Sequence, residues 1–230
     1  MIDQVTSEIV GDVAVVRIDD GKANALSHEI IDAAIAAIDD AESGAKAMVL
    51  AGRPGRFSAG FDLAVMTSGP EGARGLLGAG AELFLRLYTA RIPVVAACTG
   101  HALAAGAITL MSTDVRIGVG GDFKIGLNEV AIGMAVPAFV VELARTRLSK
   151  RHLGMAANLA TVYDPEGAVD AGFLDRLADD PVEAAIQHAA MLAETLHPAA
   201  FQVTRDRLRG ESAELIRARI ADDLATFTVG

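Results

Sequence analysis

Two short, wholly apolar runs constrain this chain most: Ala47-Met48-Val49-Leu50-Ala51 and Pro93-Val94-Val95-Ala96-Ala97-Cys98, with one helical stretch between them. Apolar runs of this length without polar alternation belong to strands covered on both faces, the environment of a parallel sheet flanked by helices. Upstream, Glu8 to Ile18 alternates about Gly11-Asp12 and predicts a β-hairpin, followed by the charged turn Asp19-Asp20-Gly21-Lys22. Ser27 is placed to cap a helix through Ala41, because Ile30, Ile31, Ala34, Ile35 and Ile38 recur at helical spacing before Ser43-Gly44. The segment from Gly52 to Leu63 reads as a loop and Glu71 to Ala90 as a helix. The alanine-rich run from Gly100 to Ser112 reads as a helix, Asp114 to Ile117 as a strand, and Pro137 to Phe227 as mainly helical. That order predicts an α/β core with a mostly parallel sheet and a helical tail serving as a cap or interface module.

With 230 residues, 52% of them hydrophobic and 22% charged, the chain can bury the core of one large domain. The apolar excess comes mainly from Ala, Val, Leu and Ile, which also suits subunit interfaces, so an oligomer is expected. A net charge of -10 and no basic run argue against nucleic-acid and anionic-membrane partners, which need clustered Lys and Arg. Met1-Ile2-Asp3-Gln4-Val5 carries no leader pattern, and no apolar stretch reaches membrane-spanning length; a soluble, cytoplasmic protein is expected. The single Cys98 excludes an intrachain disulfide and reads as a small buried side chain. His28, His152, His188 and His197 share no metal-ligand spacing with one another or with Cys98, so no metal is expected.

Three segments carry candidate chemistry. Lys124-Ile125-Gly126-Leu127-Asn128-Glu129-Val130-Ala131-Ile132-Gly133 holds a carboxylate, Glu129, in apolar, glycine-punctuated surroundings. A dry carboxylate has a raised pKa and suits proton transfer near neutrality; the alternative is a structural acid in a buried turn. In Gly55-Arg56-Phe57-Ser58-Ala59-Gly60-Phe61-Asp62-Leu63, Gly60 lets the chain turn so that the Phe61 N–H faces a ligand. Thr99-Gly100-His101-Ala102-Leu103-Ala104-Ala105-Gly106-Ala107 follows a strand and opens a helix, whose free N–H groups and positive dipole end favour developing negative charge. Either turn alone is ordinary strand-to-helix chemistry; two together make an oxyanion hole. Asp62 reads as a turn cap, and Asp114 and His101 as structural. The Gly52-to-Ser58 stretch lacks the Gly-Lys-Ser/Thr ending of a phosphate loop, and no dinucleotide glycine fingerprint opens the chain.

In this order the segments resemble the crotonase (enoyl-CoA hydratase/isomerase) superfamily over nearly the whole chain. Lys22-Ala23-Asn24-Ala25-Leu26 resembles the part that shapes the adenine and pantetheine site, Phe57 to Leu63 the first oxyanion loop, and Thr99 to Gly106 the second. The resemblance implies a spiral of β-β-α units over residues 1–190 and a helical trimerisation region over 191–230, assembled as a homotrimer or a dimer of trimers. It places the oxyanion donors at the Phe61 and Ala105 N–H groups and the catalytic glutamate at Glu129. The substrate thioester then lies along Lys22, Ala23, Ala25, Ala59, Gly60, Asp62 and Leu63. Coenzyme A enters as part of an acyl-CoA substrate rather than as a resident cofactor. A serine nucleophile, as in the ClpP-type proteases that share this fold, has no counterpart in Ala104-Ala105-Gly106.

Three departures from the pattern shape the expected activity. Family hydratases carry a second glutamate three residues after the second donor, where this chain has Ile108. Hydration needs a second carboxylate to manage water, whereas one base suffices to move a proton from the alpha to the gamma carbon of an enoyl thioester. Ile125-Gly126-Leu127-Asn128-Glu129 also resembles the single-glutamate mitochondrial 3,2-enoyl-CoA isomerases, so isomerisation is expected, ahead of hydration and of non-catalytic acyl-CoA binding. Ala105 stands where the family usually has glycine, and its methyl narrows the slot. Finally, set against that resemblance, Thr226-Phe227-Thr228-Val229-Gly230 is expected to fall short of the last helix and basic tail that close over CoA in many relatives, with Lys22, Arg53 and Arg56 as candidate phosphate partners.

Overall fold

A computed structural model of the chain describes residues 3–226. The hairpin forms as its alternation requires: β1 (Val5–Val10) and β2 (Val13–Ile18) run antiparallel, with Val10 opposite Val13. The chain continues through β3 (Ala25–Leu26), α1 (His28–Gly44), β4 (Ala47–Ala51), β5 (Gly55–Ser58), β6 (Gly60–Phe61), α2 (Leu63–Met66), α3 (Pro70–Tyr88) and β7 (Val94–Cys98). Next come β8 (Gly100–Leu103), α4 (Ala105–Ser112), β9 (Val115–Gly118), β10 (Ile125–Gly126), a single 3-10 turn (Val130–Ile132) and α5 (Ala138–Arg147). The remainder is α6 (Leu153–Ala157), α7 (Pro165–Ala171), β11 (Arg176–Leu177), α8 (Pro181–Thr195) and α9 (Pro198–Thr226). Ser27 caps α1, its hydroxyl accepting from the Ile30 N–H at 3.3 Å.

Among the described residues, six strands form the main sheet in the order β1-β2-β4-β7-β9-β11, parallel throughout except for the opening hairpin. Met48, Leu50, Ala96 and Cys98 point to one face and join the large core with α1 and α3. Val49, Val95, Ala97 and Ile117 point to the other, against Ala185, Ala189 and Ala193 of α8. Burial on both faces is why these strands carry no polar alternation.

Two readings from sequence need correction. The Gly52-to-Leu63 segment is not a loop: β5 pairs with β8, Gly55 facing Gly100, and β6 pairs with β3, Gly60 facing Ala25. A Cβ on Gly100 would fall 2.1 Å from the Gly55 carbonyl carbon, so Gly100 marks a place where the two strands are packed too closely for a side chain. Likewise the run after Gly100 is strand first, and the helix begins only at Ala105. Pairing of β8 with both β5 and β10 overrides the helical preference of its alanine.

Helix α8 runs across residue 190, the expected boundary between core and tail, and stays packed on the sheet. Helix α9 packs along α3 and α5. Its buried Arg205 and Arg209 both reach the Asp114 carboxylate, and Arg209 Nη1 also donates to the Tyr88 carbonyl at 2.9 Å. The tail is thereby fastened to the ends of α3 and α4.

Candidate active site

The first amide turn is held from behind by Asn24, a fully buried residue at φ 52. Its Nδ2 donates to the carbonyls of Ile18, Arg56 and Phe57 at 2.7, 3.2 and 3.3 Å, tying the end of β2 to β5. The Asp62 N–H donates to the Leu26 carbonyl at 3.1 Å. N–H groups alternate in direction along a strand, so the Phe61 N–H points away from β3. The second turn is reached from β8: the Ala104 N–H donates to the Gly126 carbonyl, and the first helical bond of α4 runs from the Ile108 N–H to the Ala104 carbonyl, both at 3.0 Å. Ala105, Gly106 and Ala107 therefore hold the leading N–H groups of the helix.

The two turns are in contact. A Cβ built on Gly60 would lie 3.2 Å from the Ala104 methyl and 3.7 Å from the Ala105 nitrogen. Gly60 at φ +107 is the residue that allows this approach. Ala104 sits at φ 47, ψ -118, a left-handed conformation that costs an alanine about 1–3 kcal/mol and that delivers the Ala105 amide to its place. Gly106 allows α4 to rest on β5, since a Cβ there would meet the Ser58 carbonyl oxygen at 2.4 Å.

Beside these turns opens a cavity of about 430 Å³, lined by Ala59, Gly60, Phe61, Leu63, Met66, Leu77, Ala104, Ile108, Asn128, Glu129, Ile132, Met134, Ala135 and Pro137. Among the described residues, Glu129 is the one acid in this wall. It is 6% exposed, and burial pushes its carboxyl up to about 7, partly offset by the N–H groups of Glu129 and Asn128. Its Oε2 is buried with no hydrogen-bond partner among the described residues. The carbonyl of Glu129 accepts from the Ile132 and Met134 N–H groups, which fixes the turn that carries it. Ile108, on the first turn of α4, presents an apolar side chain to the same space. The arrangement thus combines leading amides, one base titrating near neutrality and a slot that is apolar apart from Asn128 beside that base.

Of the residues named from sequence, Ala59, Gly60, Phe61, Leu63 and Glu129 line the cavity. Ala105 is fully buried behind the wall, with its nitrogen 3.7 Å from where a Gly60 Cβ would stand, so the methyl facing the slot is that of Ala104 and not, as expected, that of Ala105. Lys22, Ala23, Ala25 and Asp62 stand outside the wall. The Ala23 carbonyl accepts from the Ala59 N–H and Ala25 pairs with Gly60, so both support the first turn. Asp62 caps α2 through the Ala64 N–H at 2.8 Å. Arg53 is tied to the Lys22 carbonyl at 2.6 Å and to Asp19 at 3.1 Å. His101 Nδ1 accepts from the Lys124 N–H at 2.9 Å. Burial pushes the Cys98 thiol up to about 12, which leaves it protonated and unreactive. Met66, Leu77, Met134 and Pro137 were not singled out by sequence; the spacing of Leu63 and Met66 on one short helical face was the available signal.

The enoyl-CoA hydratase/isomerase family profile matches residues 8–227. The apo structure of an enoyl-CoA isomerase of Mycobacterium tuberculosis superposes with a TM-score of 0.91 at 38% identity, covering 98% of this chain and 99% of the mycobacterial one.

 Human mitochondrial enoyl-CoA delta isomerase 1 is 28% identical over 217 residues, 91% of this chain and 72% of the human protein. A probable enoyl-CoA hydratase of Bacillus subtilis is 33% identical over 190 residues, 79% of this chain and 71% of that protein.

Proposed function

The chain belongs to the enoyl-CoA hydratase/isomerase family, and we propose that within it this protein moves a double bond, converting 3-enoyl-CoA to 2-enoyl-CoA with Glu129 as the proton shuttle. The observation that carries the reading is the lone acid in the cavity, with Ile108 where a second would be needed to handle water. Ionised Glu129 takes a proton from the carbon alpha to the thioester, and the electron pair delocalises into a dienolate. The Phe61 and Ala105 N–H groups stabilise the negative oxygen. The carboxylic acid then returns the proton to the gamma carbon, leaving the double bond conjugated to the thioester and Glu129 ionised again. A carboxyl titrating at about 7 suits both halves, since it gives up and accepts the proton with little cost. Coenzyme A is in this reading part of the substrate, and the apolar wall holds the acyl chain. A trimeric or hexameric assembly and a cytoplasmic location go with the proposal.

The test supplies 3-enoyl-CoA and 2-enoyl-CoA separately to the wild type and to Glu129→Gln. Isomerisation lost by a factor of about 10³ or more in the variant is expected, from removal of the one base among the described residues of the wall. Fast hydration of 2-enoyl-CoA that survives Glu129→Gln would overturn the reading. Tight acyl-CoA binding without turnover of either isomer would replace it with a binding role.

A further inference from the structure

Phe61 contributes more than its amide. Its ring lines the cavity and lies on Gly80 of α3, so closely that a Cβ on Gly80 would fall 2.3 Å from the ring Cζ and 2.4 Å from Cε1. Phe84, one turn further along α3, packs against the same ring, with centroids 6.1 Å apart and planes at 46°. Leu77, three residues before Gly80 and so on the same face of the helix, is itself part of the cavity wall. Gly80 is buried in mid-helix, where glycine costs about 0.5–1 kcal/mol relative to alanine, and its φ is ordinary. Backbone conformation therefore does not require glycine here, whereas the Phe61 ring does.

Resting on the acyl-CoA reading above, we propose that Gly80 determines acyl-chain length: by lacking a side chain it lets the Phe61 ring withdraw against α3 and keeps the slot deep. Any side chain at position 80 displaces the ring. Phe84 is buried and blocks one direction, and α3 blocks another. The empty space beside the ring is the cavity, so the ring moves there and shortens the slot. The Phe61 N–H belongs to the backbone of β6 and keeps its place when the ring turns.

The experiment compares the wild type with Gly80→Ala on 3-hexenoyl-CoA and 3-dodecenoyl-CoA. The variant is expected to lose at least about tenfold in kcat/KM on the long substrate, with the short one changed less than about threefold, fold-changes that correspond to a blocked slot rather than a lost catalytic group. Adding Phe61→Leu to Gly80→Ala, which removes the ring and keeps the amide, is expected to restore the long substrate. An unchanged ratio between the substrates, or a selective loss that Phe61→Leu does not relieve, overturns the proposal. Calorimetric binding of hexanoyl-CoA and dodecanoyl-CoA reads slot depth without turnover. A protein that isomerises neither substrate yet loses dodecanoyl-CoA affinity in Gly80→Ala refutes the isomerase reading and upholds the role of Gly80.

Discussion

Asp223, near the end of α9, caps a helix that begins 85 residues earlier in the chain: its two carboxylate oxygens accept from the Ala138 and Phe139 N–H groups at 2.9 Å each. Helix α5 has no cap of its own, because Pro137 precedes it. Pro137 also lines the cavity, so the last helix steadies the wall that follows Glu129. Asp223→Ala is expected to cost about 1–2 kcal/mol, the range of a lost N-cap, and to raise KM more than it lowers kcat. Urea unfolding with parallel kinetics checks both.

Glu129 works as a base only when ionised. With its carboxyl at about 7, kcat/KM is expected to rise about tenfold per pH unit below that value and to level off above it. A profile flat between pH 5 and pH 8 would remove Glu129 from the proton transfer.

The same burial weakens the fold. Glu129 titrates near 4.5 when unfolded and at about 7 when folded, so the folded state holds the proton more tightly. Its contribution to stability is complete below the unfolded value and is lost as pH rises through the folded one, by on the order of 3 kcal/mol. Glu129→Gln is expected to melt close to the wild type at pH 4.5 and above it at pH 8. Calorimetric melting at the two pH values measures the difference.

Asp114 accepts from both Arg205 and Arg209, each about 7% exposed. Asp114→Ala leaves two buried guanidinium groups without their carboxylate and is expected to cost about 3–5 kcal/mol. Replacing both arginines by methionine in that variant should recover part of the loss, which thermal unfolding of the series would reveal.

The main sheet and α1 were legible because Met48, Leu50, Val95 and Ile30 obey short-range rules of periodicity and capping. The strands β5, β6 and β8 were not. Their partners lie far along the chain, as Gly55 does from Gly100, and their glycines look like turn residues until the neighbouring backbone is in place. At the site, Glu129 and the two amide turns were readable as local chemistry. The cap from Asp223, the staple of Asn24 and the seat of Phe61 on Gly80 were not, because each joins segments whose proximity only the folded chain creates.

Between the two amide turns there is room for a single methyl group, and Ala104 supplies it, 3.2 Å from where a Gly60 side chain would begin. The width of the anion-binding gap therefore belongs to neither turn alone. Residues 60 and 104 form one mutational unit: a change at either is judged by what the other already holds, and their effects will not add.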